Sequence, residues 1–270
     1  MARVKRGNPG RNVGLPWQES RELVVTARLA AAVSLPPVWP APLDGVMASA
    51  ARRDRLGEMH GLVVDHHVQD LPLARCKIGG SRWHWQATCA EPVGPAVEST
   101  QHWAKRFDEA AWEPAAPDGY VGKYVTTGGR YRAHWTPLPV VETRELRWRC
   151  AGNPEAVQAL LQGCHWLGKK RSQGWGRIID WTVEDVGPMS LDASARMHFG
   201  ADGRPVRPIP IREADMWAVP ARPYPQGYRP PYWKAQREDG RMASCIHPDT
   251  RREVTPCVQS TAAPTRGGAA

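Results

Sequence analysis

The sequence predicts an α+β fold: a βαββαβ core interrupted by a long insertion and followed by a proline-rich C-terminal extension. Three observations carry that expectation. Two strand-like segments, Glu22–Ala30 and Glu145–Ala151, alternate polar and apolar residues, and each leads into an apolar helical stripe. Two further strand-like segments flank Gly79-Gly80-Ser81. The second helix is followed by a glycine-rich basic loop that runs into a last strand.

In chain order, residues 1–20 are rich in Gly, Arg and Pro and read as a flexible basic N-terminus. In the first strand, Val25, Ala27 and Leu29 share one face, with Thr26 and Arg28 on the other. A proline-rich turn, Pro36 to Pro42, leads to a helix that Asp44 is expected to cap. Leu43, Val46, Met47 and Ala50 form its stripe, and Arg52-Arg53-Asp54-Arg55 closes it, where cations complement the helix dipole. Leu71–Ile78 and Arg82–Ala90 then read as a hairpin, with Trp83 and Trp85 on one face and His84 on the other.

Residues 92–142 interrupt the pattern with prolines and glycines, and a short helix is expected from Gln101 to Trp112. Tyr120 to Trp135 reads as a second hairpin around Thr127-Gly128-Gly129, carrying Lys123, Arg130, Arg132 and His134 beside Tyr124, Tyr131 and Trp135. Cations interleaved with rings suit single-stranded nucleic acid; an ordinary surface hairpin is the plainer reading. After the strand at 145–151, Gly152-Asn153-Pro154-Glu155 supplies an N-cap, a proline at the first helical position and an acid in the first turn. Val157, Leu160, Leu161 and Cys164 make one helix face, and Arg177–Glu184 is the last strand. The core is expected over 21–185, a proline- and aromatic-rich extension over 186–240, and a disordered tail over 241–270. In the extension Trp217, Tyr224, Tyr228, Tyr232 and Trp233 are available to line a partner surface.

The stretch between the second helix and the last strand concentrates the chemistry. Leu167 to Arg177 holds glycines at 168, 174 and 176, cations at Lys169, Lys170, Arg171 and Arg177, the small polar Ser172 and Gln173, and Trp175. No acid falls between Glu155 and Asp180. Glycines allow positive φ and close approach, backbone amides can cradle phosphates, and Lys or Arg can pair with them. The loop follows a helix and leads into a strand, so it is not a dinucleotide fingerprint. Its spacing is not that of a Walker loop either. The expected nucleic-acid contacts are therefore Gly168, Lys169, Lys170, Arg171, Ser172, Gln173, Gly174, Trp175 and Gly176. Arg28, Lys123, Arg130, Arg132 and His134 are added from the first strand and the insertion.

Composition agrees with a polyanionic partner. Lys and Arg outnumber Asp and Glu by 36 to 27, for a net charge of +9. Thirteen tryptophans against two phenylalanines offer rings for stacking, although burial is the commoner fate of tryptophan. No apolar run is long enough for a membrane span, and the basic N-terminus lacks the apolar segment of a signal peptide. Six scattered cysteines without C-x-x-C spacing read as free thiols of a cytoplasmic protein. Cys245, His247 and Cys257 match no common zinc-finger spacing, so neither metal nor cofactor is expected.

The βαββαβ order is that of a ferredoxin-like (RRM-like) fold. With Leu167 to Gly176 between its last helix and last strand, the chain resembles the RAMP superfamily of CRISPR-associated RNA-binding proteins, over roughly residues 22–185. Thr26-Ala27-Arg28-Leu29 leading to Leu43-Asp44-Gly45-Val46-Met47, and Leu71-Pro72-Leu73-Ala74-Arg75 leading to Trp83-His84-Trp85, resemble the Cas-five-like subunit of type IV systems. The resemblance implies a non-catalytic subunit that holds the 5′ handle of the CRISPR RNA and caps one end of an effector complex. Its partners would be the backbone and large subunits, with target DNA reached through the complex, and the insertion at 92–142 would be the thumb. A rival with the same fold and loop is a metal-independent endoribonuclease that processes CRISPR RNA precursors. It would need a base, an acid and a cation: His60, His66, His67 and His84 are the candidates, with Lys169 or Lys170 as the cation. A third reading, a ribosome- or messenger-associated binding module, rests on the basic core alone.

Overall fold

The computed structural model describes residues 19–57, 70–79, 82–108, 125–232, 237–238 and 241–252. In chain order the elements are β1 (Arg21–Leu29), α1 (Leu43–Leu56), β2 (Arg75–Gly79), β3 (Arg82–Trp85), β4 (Glu91–Pro92), β5 (Val97–Lys105), β6 (His134–Glu142), β7 (Glu145–Gly152), α2 (Pro154–Gln162) and β8 (Ile178–Pro188). The extension adds α3 (Leu191–Arg196), β9 (Pro223–Pro225), β10 (Arg237–Glu238), β11 (Arg241–Met242) and β12 (Ser244–Ile246). Helices and antiparallel strands are mixed, as an α+β class requires.

The main sheet has the order β4-β7-β1-β8, with every pair antiparallel. Alternation in β1 decides which face is buried: Leu23, Val25, Ala27 and Leu29 point into the core, while Thr26 is half-buried and Arg28 exposed. Their register partners continue the buried face, Val25 opposite Trp148 and Val183, and Ala27 opposite Leu146 and Trp181. Leu43, Met47 and Ala50 of α1 and Val157 and Leu161 of α2 close over it. The buried indoles of Trp148 and Trp181 are not orphaned, since each donates its N–H at 2.8 Å, to Ala41 O and Cys164 O respectively.

α2 starts where its sequence says it should: the Asn153 side chain accepts from Ala156 N at 2.8 Å, with Pro154 at the first helical position. α1 does not. Pro42 occupies its N-cap, and Asp44 lies inside the first turn, buried, accepting from Gly45 N and from the Tyr232 hydroxyl. The expected cap is thus a buried anchor for the extension.

β3 stops at Trp85, short of the strand expected to reach Ala90. Residues 86–90 instead run irregularly along the β7 edge into β4, and the Thr88 hydroxyl accepts from Arg149 N in place of a ladder bond. In the insertion, residues 101–105 belong to β5 rather than to a helix, and β5 pairs with β6 along its whole length, Val97↔Glu142 to Lys105↔His134. Of the hairpin expected at 120–135, residues 120–124 lie outside the described residues. The ribbon's strands are 97–105 and 134–142, and Gly129–Tyr131 is a 3-10 turn between them. Both faces of β5 meet solvent, so no apolar period marked it as a strand. At its base the ribbon joins the core through buried Leu138 and Val140 and the Val33↔Val141 bridge.

The extension packs a second, small cluster from Phe199, Ile209, Ala214, Val219 and Ile246. Cys245 and Ile246 in β12 are buried and pair with β9, within the stretch where a disordered tail was expected from 241. Residues 253–270 and 1–18 lie outside the described residues. No helix among the described residues is long and apolar enough to cross a membrane.

Candidate nucleic-acid interface

The glycine-rich loop is a shaped object pinned to the segment after β1. Leu167 N donates to Gly176 O at 2.8 Å, closing the loop, while Gly176 N donates to Ala32 O at 2.8 Å and Lys169 N to Ser34 O at 3.1 Å. Gly168 and Gly176 both have positive φ (72° and 66°), and a Cβ on them would strike Ser34 O and Leu167 O respectively. These two glycines are therefore required by close backbone approach. Gly174 (φ 88°) needs only the left-handed conformation, since open space surrounds its Cβ position.

Between those anchors the chain turns outward. Lys170 is left-handed (φ 59°), Arg171–Gln173 form a 3-10 turn, and Gly174 is left-handed again. Successive amides in such turns make anion-binding concavities. Lys169, Arg171, Ser172, Gln173 and Gly174 are exposed, whereas Trp175 is half-buried and Gly176 buried. The structure thus brings the loop's polar and cationic side chains to one surface projection, with Gly176 serving as its root.

The ribbon reaches this loop. The Lys170 ammonium sits 3.1 Å from the centroid of the Trp103 ring in β5. That contact orients one loop cation and fixes the ribbon beside the loop. Trp103 was missed in the sequence because residues 101–112 read as a helix. Farther along, the exposed Trp135 packs on His102 at 5.4 Å, and Phe107 meets Tyr131 at 4.6 Å. Arg132 and His134 are exposed on this arm. The Arg130 side chain and the whole of Lys123 and Tyr124 lie outside the described residues.

The open face of the sheet is chemically different. Arg28 is paired with Asp180 through two nitrogens, the shorter contact 2.6 Å, and Arg147 with Glu91 at 2.9 Å. Arg149 and Arg196 share the buried Glu22 carboxylate. Across this face the register rows read Arg149-Val24-Glu184, Arg147-Thr26-Thr182 and Glu145-Arg28-Asp180, with no aromatic ring among them. It is a ladder of compensated charge rather than a stacking platform. The Arg28 guanidinium is thereby engaged by its own sheet.

Beside the loop lies a pocket of about 370 Å3, walled in part by Trp39, Arg53, Trp166, Gly168, Arg171 and Tyr232. The Trp39 indole N–H is buried and has no partner among the described residues. The pocket came from parts scattered over the chain, and no local motif announced it.

Of the histidines considered for RNA cleavage, His84 is described. His84 is fully buried, with Nε2 against Glu213 at 2.9 Å, so it does not face the loop. His60, His66 and His67 lie outside the described residues. The Cys245 thiol donates to Gln226 O, His247 pairs with Asp249, and Cys257 lies outside the described residues, so the weak zinc-finger reading gains nothing.

A family model described as CRISPR type IV associated protein Csf3 matches residues 21–243. Comparison with curated proteins finds no match. The matched span runs from the first residue of β1 to the residue before β12, and so includes the ribbon, the loop and most of the extension.

Proposed function

Because this chain belongs to the Csf3 family of CRISPR type IV associated proteins, we propose that it is a non-catalytic RNA-binding subunit of a type IV effector complex. In this reading it grips the 5′ handle of the CRISPR RNA and caps the backbone filament as a RAMP-superfamily, Cas-five-like protein. The observation that carries it is the outward turn of Lys169–Gln173, cationic, free of acids and held against the aromatic arm by the Lys170–Trp103 contact. Phosphates would meet the loop's cations and amides, and bases would stack on the arm or enter the pocket beside Trp39.

The sheet order supports a ferredoxin-like core. Taking residues 86–92 as the second core strand, the neighbours run second, third, first, fourth, the order of that fold. The compensated charges on the open face favour recognition at the loop over recognition on the sheet. We also read the 97–142 ribbon as the thumb, and assign 21–185 as the RNA-binding domain with 186–240 as an extension docked on it. The backbone and large subunits would be its protein partners, with target DNA reached through them. The endoribonuclease alternative, with His66, His67 and Lys169, is the weaker reading: the one described histidine among its candidates, His84, is buried against Glu213.

The test is to express the chain with its array and neighbouring subunits, purify the complex, and sequence the RNA ends. The reading expects one 5′ handle of uniform length. Loss of this subunit should leave that handle exposed to nuclease. Handles equally protected with and without it would overturn the proposal. Site-specific, metal-free cleavage of repeat RNA by the purified chain, abolished in His66→Ala/His67→Ala, would replace it with the nuclease.

A further inference from the structure

Away from the loop, the ligand atoms of Cys76, His84, His198 and Glu213 all lie within 4.8 Å of one another, three of these residues buried and Cys76 half-buried. They come from four places. Cys76 and His84 face each other across β2 and β3, His198 follows α3, and Glu213 ends the 3-10 turn Ile211–Glu213. None of the sequence spacings resembles a known metal motif, so only the fold brings them together.

The hydrogen bonds around the cluster fix which atoms face inward. His84 Nδ1 lies 3.0 Å from Trp85 O, and His198 Nδ1 lies 2.7 Å from Ser194 O. A carbonyl oxygen only accepts, so each Nδ1 carries the proton, and each neutral ring turns a bare Nε2 into the cluster. His198 Nε2 is buried with no partner among the described residues. His84 Nε2 lies 2.9 Å from Glu213 Oε1, which sets a lone pair against a carboxylate oxygen in the neutral ring. The other carboxylate oxygen, Oε2, accepts from Trp217 Nε1 at 3.1 Å. The remaining buried cation nearby, Arg207, donates to the carbonyls of Ala87, Pro208 and Tyr228. A buried acceptor left unpaired is costly, and a cation at the centre would satisfy all of these atoms together.

We propose that Cys76, His84, His198 and Glu213 bind one zinc ion that fastens the C-terminal extension to the β2–β3 hairpin. One sulfur, two imidazole nitrogens and one carboxylate oxygen form a closed four-ligand set, which suits a structural zinc. Ligand atoms at about 2.0–2.3 Å from a tetrahedral ion sit about 3.3–3.8 Å apart, so the cluster needs only small side-chain adjustments. Thiolate and carboxylate together neutralise the divalent charge. Each histidine already donates its other nitrogen to a carbonyl, and the indole already orients the carboxylate, as outer partners of metal ligands do. The mechanical reason is equally plain. The extension's own cluster has five buried residues, and the ion would add a second tie to the main domain beside the Tyr232–Asp44 anchor.

The experiment uses the full chain purified without chelator, with metals measured by plasma mass spectrometry. We expect about one zinc per chain, falling below about one tenth in Cys76→Ser and in His198→Gln, and unchanged in the control His165→Gln. Cobalt exchanged into the wild type should show a thiolate-to-metal absorption band that Cys76→Ser lacks. If either variant fails to fold, the wild type decides. Chelator should strip the zinc and lower the melting temperature, and added zinc should restore it. A folded wild type that carries no metal and takes up no cobalt would overturn the proposal. So would zinc retained by the Cys76→Ser/His198→Gln double variant, or a melting temperature indifferent to stripping.

Discussion

Replacing Gly174 or Gly176 with alanine separates conformational cost from collision within one loop. Both residues have positive φ, 88° and 66°, so either substitution forces an L-residue into the left-handed region at about 1–2 kcal/mol. At Gly174 nothing lies within 4 Å of the new methyl, and the cost stops there. At Gly176 the methyl meets Leu167 O, and the chain cannot retreat, because Gly176 N is held by Ala32 O and Gly176 O by Leu167 N. Overpacking adds about 1–3 kcal/mol, giving about 2–5 kcal/mol in all. At about 2–4 °C per kcal/mol for a domain of this size, Gly174→Ala should melt a few degrees below the wild type and Gly176→Ala about 10 °C below it. Urea titration and thermal melts read both. RNA binding should survive in Gly174→Ala and weaken in Gly176→Ala, although neither removes a cation. Equal destabilisation by the two substitutions would refute the argument that the loop is pinned through its root.

The ribbon can be shortened without touching its base. Joining Gln101 to Leu138 through a Gly-Gly linker keeps the buried Leu138 and Val140 and should change stability little, since loop length alters closure entropy slowly. Copurification with RNA and partner subunits should fall sharply, and normal assembly would remove the ribbon from the interface. At Asp44, burial pushes the carboxyl up to about 6, against the opposing pull of Arg207 and the Tyr232 hydroxyl. A raised carboxyl favours the folded state most when protonated, below its unfolded value near 4, and that stability is lost as pH rises through about 6. Relative to Asp44→Asn, the wild type should therefore lose ground between pH 4 and pH 6 in urea titrations. A flat difference across that window would contradict the buried placement.

The elements legible in the sequence are those with one wet face and one dry face. β1, β7 and α2 announce themselves because alternation or helical spacing sorts their residues between core and solvent, and Asn153-Pro154 marks where α2 begins. β5 did not, because solvent on both faces leaves no apolar period to read. Asp44 misled for a different reason: an acid before a helical stripe usually caps it, but here Tyr232, far along the chain, claims the carboxylate. The loop itself was legible because its glycines, cations and absence of acids are local. Its partner Trp103, the pocket beside Trp39 and the Cys76–His84–His198–Glu213 cluster were not, since each joins residues that only the fold makes neighbours.

The salt dependence of RNA binding in Lys169→Ala/Lys170→Ala/Arg171→Ala decides whether the loop grips phosphate. A single-stranded 5′-handle RNA should bind the wild type with an affinity that falls steeply with salt. Removing three phosphate contacts should flatten the slope of log K against log salt by about 2, at about 0.7 per contact for single strands. The triple variant should melt near the wild type, because Lys169 and Arg171 are exposed and Lys170 leaves only its contact with Trp103. A folded triple variant that binds the same RNA with an unchanged slope would show that the loop is merely part of the scaffold.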